Sequence, residues 1–259
     1  MSVGDRPRSI ATAPWPELFF PALDSTMDEA RRVARRDEPM PDAFRVRSAL
    51  QRRGRGRRGR TWFDRPGGAI LTTLAIRRGG PFDPGDSNPG TLALRIGAAV
   101  LHVVRATVER DDIRIKWPND ILVGSRKLCG ILVEADSRWF LVGIGINGMP
   151  PLRPRLDASV RDGAADPVSL RELGWTGGYH TLLSVMDASI ARFLVGSEWR
   201  GVVSDHLAWR GERVVVVDER EEISGVVTGI DGDGSMVLDT ADGALRVVSG
   251  TVRRTPVTS

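Results

Sequence analysis

Three short segments of this chain carry residues whose types and spacing suit chemistry on an anionic ligand. The first, Gln51 to Trp62, reads QRRGRGRRGRTW. Alternating glycine with arginine lets the backbone approach a ligand closely while guanidinium forks meet phosphate or carboxylate oxygens. Segments of this composition also bind RNA backbones without sequence preference, so the loop alone leaves both readings open. The second segment is Lys116-Trp117-Pro118-Asn119-Asp120, followed by Lys127-Leu128-Cys129-Gly130-Ile131-Leu132. A lysine ending an alternating strand, then Asn and Asp, then a second lysine after a tight turn, puts two ammonium groups and a carboxylate on adjoining strands. That set suits a nucleoside triphosphate with a divalent metal, the lysines neutralising phosphate oxygens and Asp120 helping to hold Mg²⁺. Solvated strand-end lysines beside an Asn-Asp turn are the plainer alternative. The third segment, Gly143-Ile144-Gly145-Ile146-Asn147, ends a strand with two glycines and an amide, clearing side chains where a flat ligand or another backbone comes close. No capped helix with GxGxxG spacing follows it, which disfavours a dinucleotide-binding fold.

The elements that position these segments follow from periodicity. Residues 1–17, rich in Pro and polar residues, read as a loose tail. Thr26-Met27-Asp28-Glu29 has the form of a capping box, and Met27, Ala30, Val33 and Ala34 give a helix to about Asp37 an apolar stripe. Phe44, Val46, Ser48 and Leu50 alternate as a half-buried strand that delivers the Gly/Arg loop. A buried strand is expected over Ala69–Ile76, a loop over 79–90 and an apolar helix over Thr91–Val108. Strands at 113–117, 121–123, 128–134 and 139–146 then carry the second and third segments. A Pro- and Asp-rich loop covers 150–168, and 179–209 reads as helix with Leu182, Leu183, Val185, Met186, Ile190, Phe193 and Leu194 on its buried side. From Gly211 the pattern changes to short strands separated by Asp/Gly turns, the mark of a small SH3-like β-barrel. The expected organisation is therefore a tail over 1–17, a catalytic domain over 18–209 and a barrel over 210–255.

Composition narrows the classes. The pI near 10.1 overstates the positive field, because formal net charge is only +4 and few groups titrate between neutrality and pH 10. Positive charge is instead concentrated in Arg52, Arg53, Arg55, Arg57, Arg58 and Arg60, which points to one anion site. The single cysteine, Cys129, excludes an intrachain disulfide, and neither a signal peptide nor a membrane-spanning run is apparent. A cytoplasmic protein without membrane association is the expectation.

Taken together and in this order, GRGRRGR at 54–60, KWPND at 116–120, KLCGIL at 127–132 and GIGIN at 143–147 resemble the biotin protein ligase family over roughly residues 18–254. The resemblance implies an α+β fold: a class II synthetase-like mixed β-sheet flanked by helices, with a C-terminal SH3-like β-barrel. It implies ATP-dependent activation of biotin to biotinyl-5′-AMP and transfer to a lysine of a biotin carboxyl carrier protein or domain. ATP and Mg²⁺ would enter as reactants and biotin as substrate, with no tightly bound prosthetic group. By the same resemblance Ser25, Thr26 and Gln51 would bind the ureido ring, and Gly54, Arg55 and Gly56 would line the biotin. Gly130, Leu132, Gly143 and Gly145 would form the wall beneath. Arg57 would reach the carboxyl and phosphate end, and Lys127 would bridge carboxylate and α-phosphate. Lys116, Asn119, Arg60 and Asn147 would serve the nucleotide, Asn147 reading the adenine and Trp62 covering it. Asp120 would hold metal or accept the amine's proton. Two positions depart from the family's pattern: Met27 stands where Asn is common, and Arg53 where Ala is common. Arg253 or Arg254 would supply a C-terminal contact to the nucleotide.

A lipoate–protein ligase shares this architecture, but KWPND followed by KLCGIL and a barrel tail favour biotin. An Arg-rich RNA-binding module is the rival from another class, with a steep salt dependence and no adenylate. A biotin-responsive repressor is disfavoured, because the stretch before Thr26 is too short for a winged helix; no specific DNA is expected as a partner, and the expected state is a monomer or weak homodimer.

Overall fold

The structure is a computed structural model that describes residues 8–10, 14–36, 38–62, 65–85, 88–150, 165–218 and 221–255. In chain order the elements are β1 (Arg8–Ile10), β2 (Glu17–Phe20), α1 (Thr26–Ala34), β3 (Ala43–Ser48), β4 (Gly54–Arg55), a 3₁₀ turn (Arg57–Gly59), β5 (Thr61–Trp62), β6 (Ala69–Arg77) and α2 (Pro89–Val108). Then come β7 (Ile113–Lys116), β8 (Asp120–Val123), β9 (Arg126–Ala135), β10 (Trp139–Asn147), α3 (Tyr179–Val195) and α4 (Trp199–Asp205). The chain ends in β11 (Arg213–Val217), β12 (Glu222–Ile230), β13 (Met236–Thr240), β14 (Gly243–Val247) and β15 (Thr251–Arg254).

Eight strands form one mixed sheet in the order β1-β2-β3-β6-β10-β9-β8-β7, parallel between β2 and β3 and antiparallel elsewhere. Its two faces follow from the period of two. In β6 and β10, Leu74, Ile76, Phe140 and Val142 join the large core beneath α2 and α3. Ala75, Trp139 and Leu141 turn to the opposite face, where Met27, Ala30 and Val33 of α1 cover them. Asn88 caps α2 by accepting from the Gly90 amide at 2.8 Å, and Pro89 follows at the first helical position. Helix α2 is long and apolar enough to span a membrane, yet 72% of its most apolar window is buried, as befits a core helix.

Several sequence expectations need correction. Arg8–Ile10 pairs with β2, and Trp15 is 2% exposed, so the stretch 1–17 is not loose where it is described. The capping box does not form: Ser25 occupies the N-cap, Gln51 takes the Thr26 amide at 2.7 Å, and Glu29 bonds Arg32 instead. The helix ends at Ala34. The expected helix over 179–209 breaks at Gly196, whose backbone is extended, and Arg95 collects the freed carbonyls of Leu194 and Gly196 at 2.8 and 2.7 Å. Val185, expected to be buried, is 55% exposed. Of the expected loop over 150–168, residues 151–164 lie outside the described residues.

The C-terminal strands form an antiparallel sheet in the order β14-β13-β12-β11-β15, whose end strands are not neighbours, so the SH3-like module does not close as a barrel. It joins the main core directly. Val214, Val216, Val227, Met236 and Leu238 belong to the same apolar cluster as Leu92, Leu94 and Trp117. The Trp117 indole N–H donates to the Gly234 carbonyl at 2.9 Å, and Thr91 Oγ1 donates to the Asp233 carbonyl at 2.5 Å.

Candidate active site

Register builds the site. Beyond the N-terminus of α1, the row that continues Leu141 along β10 is Gly143 and then Gly145, so the helix-covered face loses its side chains there. Across the sheet, Gly145 pairs with Leu71 on one side and Gly130 on the other, Gly130 pairs with Asp120, and Asp120 pairs with Lys116. One row therefore runs from an apolar side chain over two glycines to a carboxylate and an ammonium group. The next row is Thr73, Gly143 and Leu132. A register shift between Ile121 and Leu122 brings Lys127 onto the same side as Gly130: a Cβ on Gly130 would lie 2.9 Å from Lys127 Nζ.

These rows floor a cleft. Of the residues named from the sequence and the resemblance, Ser25, Thr26, Gln51, Arg55, Gly56, Arg57, Trp62, Asn119, Lys127, Gly130, Leu132, Gly143 and Gly145 line it. Met27, Leu71, Thr72, Ile131 and Ile144 line it as well. The β6 pair Leu71-Thr72 was not singled out from sequence, since only the pairing of β6 with β10 brings it there. Met27 is 3% exposed, covers the core with α1 and fills the space above Gly143, where a Cβ would lie 2.8 Å from its sulfur.

The two ends of the cleft differ in chemistry. At the α1 end, Gln51 Oε1 accepts from the Thr26 amide and, at 3.0 Å, from Thr26 Oγ1, which itself accepts from Thr73 Oγ1 at 2.9 Å. Ser25 Oγ is buried and has no hydrogen-bond partner. A buried hydroxyl without a partner is uncommon and costly unless something outside the chain satisfies it. At the other end, Lys127 Nζ stands 2.7 Å from Asp120 Oδ1, and Arg57 donates to Asn119 Oδ1 at 3.2 Å. Asn119 Nδ2 in turn donates to the Ile131 carbonyl at 2.7 Å, fixing the amide. Burial, then the neighbouring Arg58, holds the Arg57 pKa below its usual value, with Asp120 opposing. Lys116 is 9% exposed, and burial pushes its pKa down, against Asp120 and with Lys127, Arg60 and Arg253. Burial pushes the Cys129 thiol up, which removes it as a nucleophile.

Five expected site residues do not line the cleft. Gly54 serves the β4–β5 hairpin, since a Cβ there would lie 2.6 Å from the Trp62 carbonyl oxygen. Asp120 contacts Lys127 from outside the lining, and Arg60 and Lys116 are coupled electrostatically. Asn147 clamps the backbone, donating to the Lys127 and Val168 carbonyls at 3.0 and 3.1 Å. Trp62 lies directly on the glycine floor, its ring 2.8 Å from where a Gly145 Cβ would sit. Of the two C-terminal arginines, Arg254 pairs with Glu212 at 2.5 Å, whereas Arg253 acts electrostatically on Lys116.

Comparison with known proteins bears on the family and the fold. The model of the biotin/lipoate A/B protein ligase family matches residues 20–147, and that of the biotin protein ligase C-terminal domain matches residues 211–252. A biotin–[acetyl-CoA-carboxylase] ligase of Paracoccus denitrificans is 30% identical over 239 residues, covering 83% of this chain and 90% of that protein. The chain belongs to the biotin protein ligase family. The Escherichia coli bifunctional ligase/repressor BirA is 32% identical to this family member over 209 residues, 76% of the chain, and the match spans 61% of the length of BirA. The fold of this biotin protein ligase family member is also that of a biotin protein ligase from Aquifex aeolicus in complex with biotin and ATP. That likeness has a TM-score of 0.78 at 23% identity and covers 92% of this chain and 99% of the other.

Proposed function

We propose that this protein activates biotin with ATP to biotinyl-5′-AMP and transfers the biotinyl group to a lysine of a biotin carrier domain of a carboxylase. The observation that carries the reading is the partnerless, buried Ser25 hydroxyl at the closed end of a glycine-floored cleft whose other end is cationic. The closed end suits a small, neutral, hydrogen-bonding ring. The charged end suits a carboxylate meeting a phosphate, and Gly130 and Gly145, on which the Trp62 ring now rests, would accept a flat apolar body once that ring gives way.

A carboxylate is a poor acyl donor. Its oxygen attacks the α-phosphorus of ATP, the bond to the β-phosphate oxygen breaks, and pyrophosphate leaves. Lys127 and Arg57 flank this end and stabilise charge developing on the phosphoryl oxygens, while Lys116, Arg60 and Arg253 supply a wider positive field. Asn119 orients Arg57. In the second step a neutral lysine amine of the acceptor attacks the mixed anhydride, AMP leaves, and Asp120 is the carboxylate near enough to Lys127 to take part in handling the proton. Among the described residues no group of three or more His, Cys, Asp or Glu converges. Asp120 is the carboxylate at this end that would help hold a Mg²⁺ ion brought in with ATP, and the ion would neutralise phosphate charge. Arg55, Arg57 and Trp62 of the arginine loop line the cleft and, closed over a bound adenylate, would keep water from the anhydride.

Pyrophosphate exchange into ATP with biotin, lipoate or octanoate tests the reading. Exchange with biotin and Mg²⁺, followed by labelling of a carrier domain, is the expected result. Exchange with lipoate alone, or with none of the three, overturns it. A monomer or weak homodimer is the proposed state in solution, which sedimentation velocity would check.

A further inference from the structure

Arg57 and Arg58 are neighbours in one turn, yet their guanidinium groups leave in different directions. Arg57 reaches Asn119 on the catalytic sheet. Arg58 is left-handed, at φ 55° and ψ 41°, and reaches the C-terminal sheet. There it donates to the Val217 carbonyl at 3.2 Å and to Thr251 Oγ1 at 3.3 Å, and pairs with Asp218 Oδ1 at 2.8 Å. The carboxylate is fixed in turn: Asp218 Oδ2 accepts from Ser249 Oγ at 2.7 Å. A non-glycine residue in the left-handed region persists where its surroundings hold it, and the ends of β11 and β15 are what hold this one. Arg58 does not line the cleft, so ligand contact does not account for its orientation.

We propose that Arg58 and Asp218 form a latch by which the C-terminal sheet holds the arginine loop shut over the cleft. Both are positioning residues: they touch no reacting atom and act through the loop that carries Arg57 and Trp62. What the latch retains rests on the ligase reading above; the latch itself is a property of the ligand-free protein. Releasing it frees the turn from the C-terminal sheet while leaving Lys127, Asp120 and Lys116 in place. The adenylate then escapes faster without its formation slowing.

The test uses the full chain with Arg58→Ala, Asp218→Ala, both together, and Asp218→Asn, which keeps a partner for Ser249 and drops the charge. Two rates are read: tryptic cutting within 52–60 in ligand-free protein, and biotinyl-AMP dissociation by chase, beside single-turnover adenylation. Each single variant is expected to speed cutting and dissociation by about fivefold, a scale set by partly exposed charged hydrogen bonds. The double variant should go no further, adenylation should stay within about twofold, and melting temperatures should hold. Wild-type cutting and dissociation in Asp218→Ala and Asp218→Asn, or effects of the two residues that simply add, would overturn the latch. A wild-type protein that makes no adenylate would sink the ligase reading, while the tryptic comparison would still decide the latch.

Discussion

A serine at the N-cap of a helix ordinarily spends its hydroxyl on the first turn, and Ser25 does not, because Gln51 already holds the Thr26 amide. Its oxygen is buried without a partner, and the proposed function gives it to the ligand. Ser25→Ala should raise the biotin KM about five- to tenfold, the value of one buried hydrogen bond, with kcat unchanged. The melting temperature should hold, since the ligand-free protein loses no partner; an unchanged KM with a lowered melt would make Ser25 structural. Lys127→Ala should lower the adenylation rate by at least about 10²-fold, because it removes a fixed cation from developing phosphoryl charge. Near-wild-type exchange kinetics would remove Lys127 from the reaction. Lys127 and Arg57 stand out in the sequence by residue type, Gln51 only by the family resemblance, and the fold brings all three to one cleft. Leu71 and Thr72 do not stand out, because an apolar–polar pair in a strand says nothing of the face it turns until its neighbours are known. Asn147 has a structural role that its sequence context does not announce: its side-chain nitrogen donates to two backbone carbonyls.

At the scale of elements, the arginine loop differs most from its sequence. Three glycines and six arginines suggest a segment with neither counter-charge nor apolar anchor, free until ligand arrives. The fold supplies both, from residues far away in the chain. Arg55 meets Asp28 of α1 at 2.8 Å and Glu134 of β9 at 3.6 Å, and Trp62 packs on Gly130 and Gly145. These contacts are partly exposed, so the loop remains the first place for trypsin to cut, and biotin with ATP should slow that cutting; no protection would argue against closure over the ligand. Arg57→Gly removes the tie to Asn119 and one cation while leaving Lys127. Adenylate synthesis should continue, and escaped adenylate should label lysines of an unrelated protein above the wild-type level. Bystander labelling equal to wild type, with adenylate still formed, would withdraw the retention role from Arg57. The large elements were legible because α2, β6 and β10 have long unbroken patterns. The short strands β1, β2 and β15 were not, since three or four residues carry too little periodicity and their pairing is decided at long range.

At the scale of the whole molecule, three regions bring cations to Lys116: the loop through Arg60, the catalytic sheet through Lys127, and the C-terminal sheet through Arg253. Burial and these neighbours depress its folded pKa below the ordinary 10.5, so the folded state binds fewer protons than the unfolded state between the two values. The resulting penalty is fully present below the folded pKa and is relieved as pH rises toward the unfolded one. Lys116→Met should melt higher than wild type near neutrality, with the difference shrinking at pH about 10, while adenylation falls. A gap independent of pH would show that Lys116 is not the group responsible.

The continuous core beneath both sheets has a further consequence. Leu94 of α2 and the indole of Trp117 meet the turn at Gly234, so the C-terminal module shares its foundation with the helix under the catalytic sheet. Such a protein melts as one cooperative unit, with a single calorimetric transition whose van't Hoff and calorimetric enthalpies agree. The module is thus a poor cassette: exchanged alone between relatives, it would arrive without the tryptophan and helix surface that complete its interior.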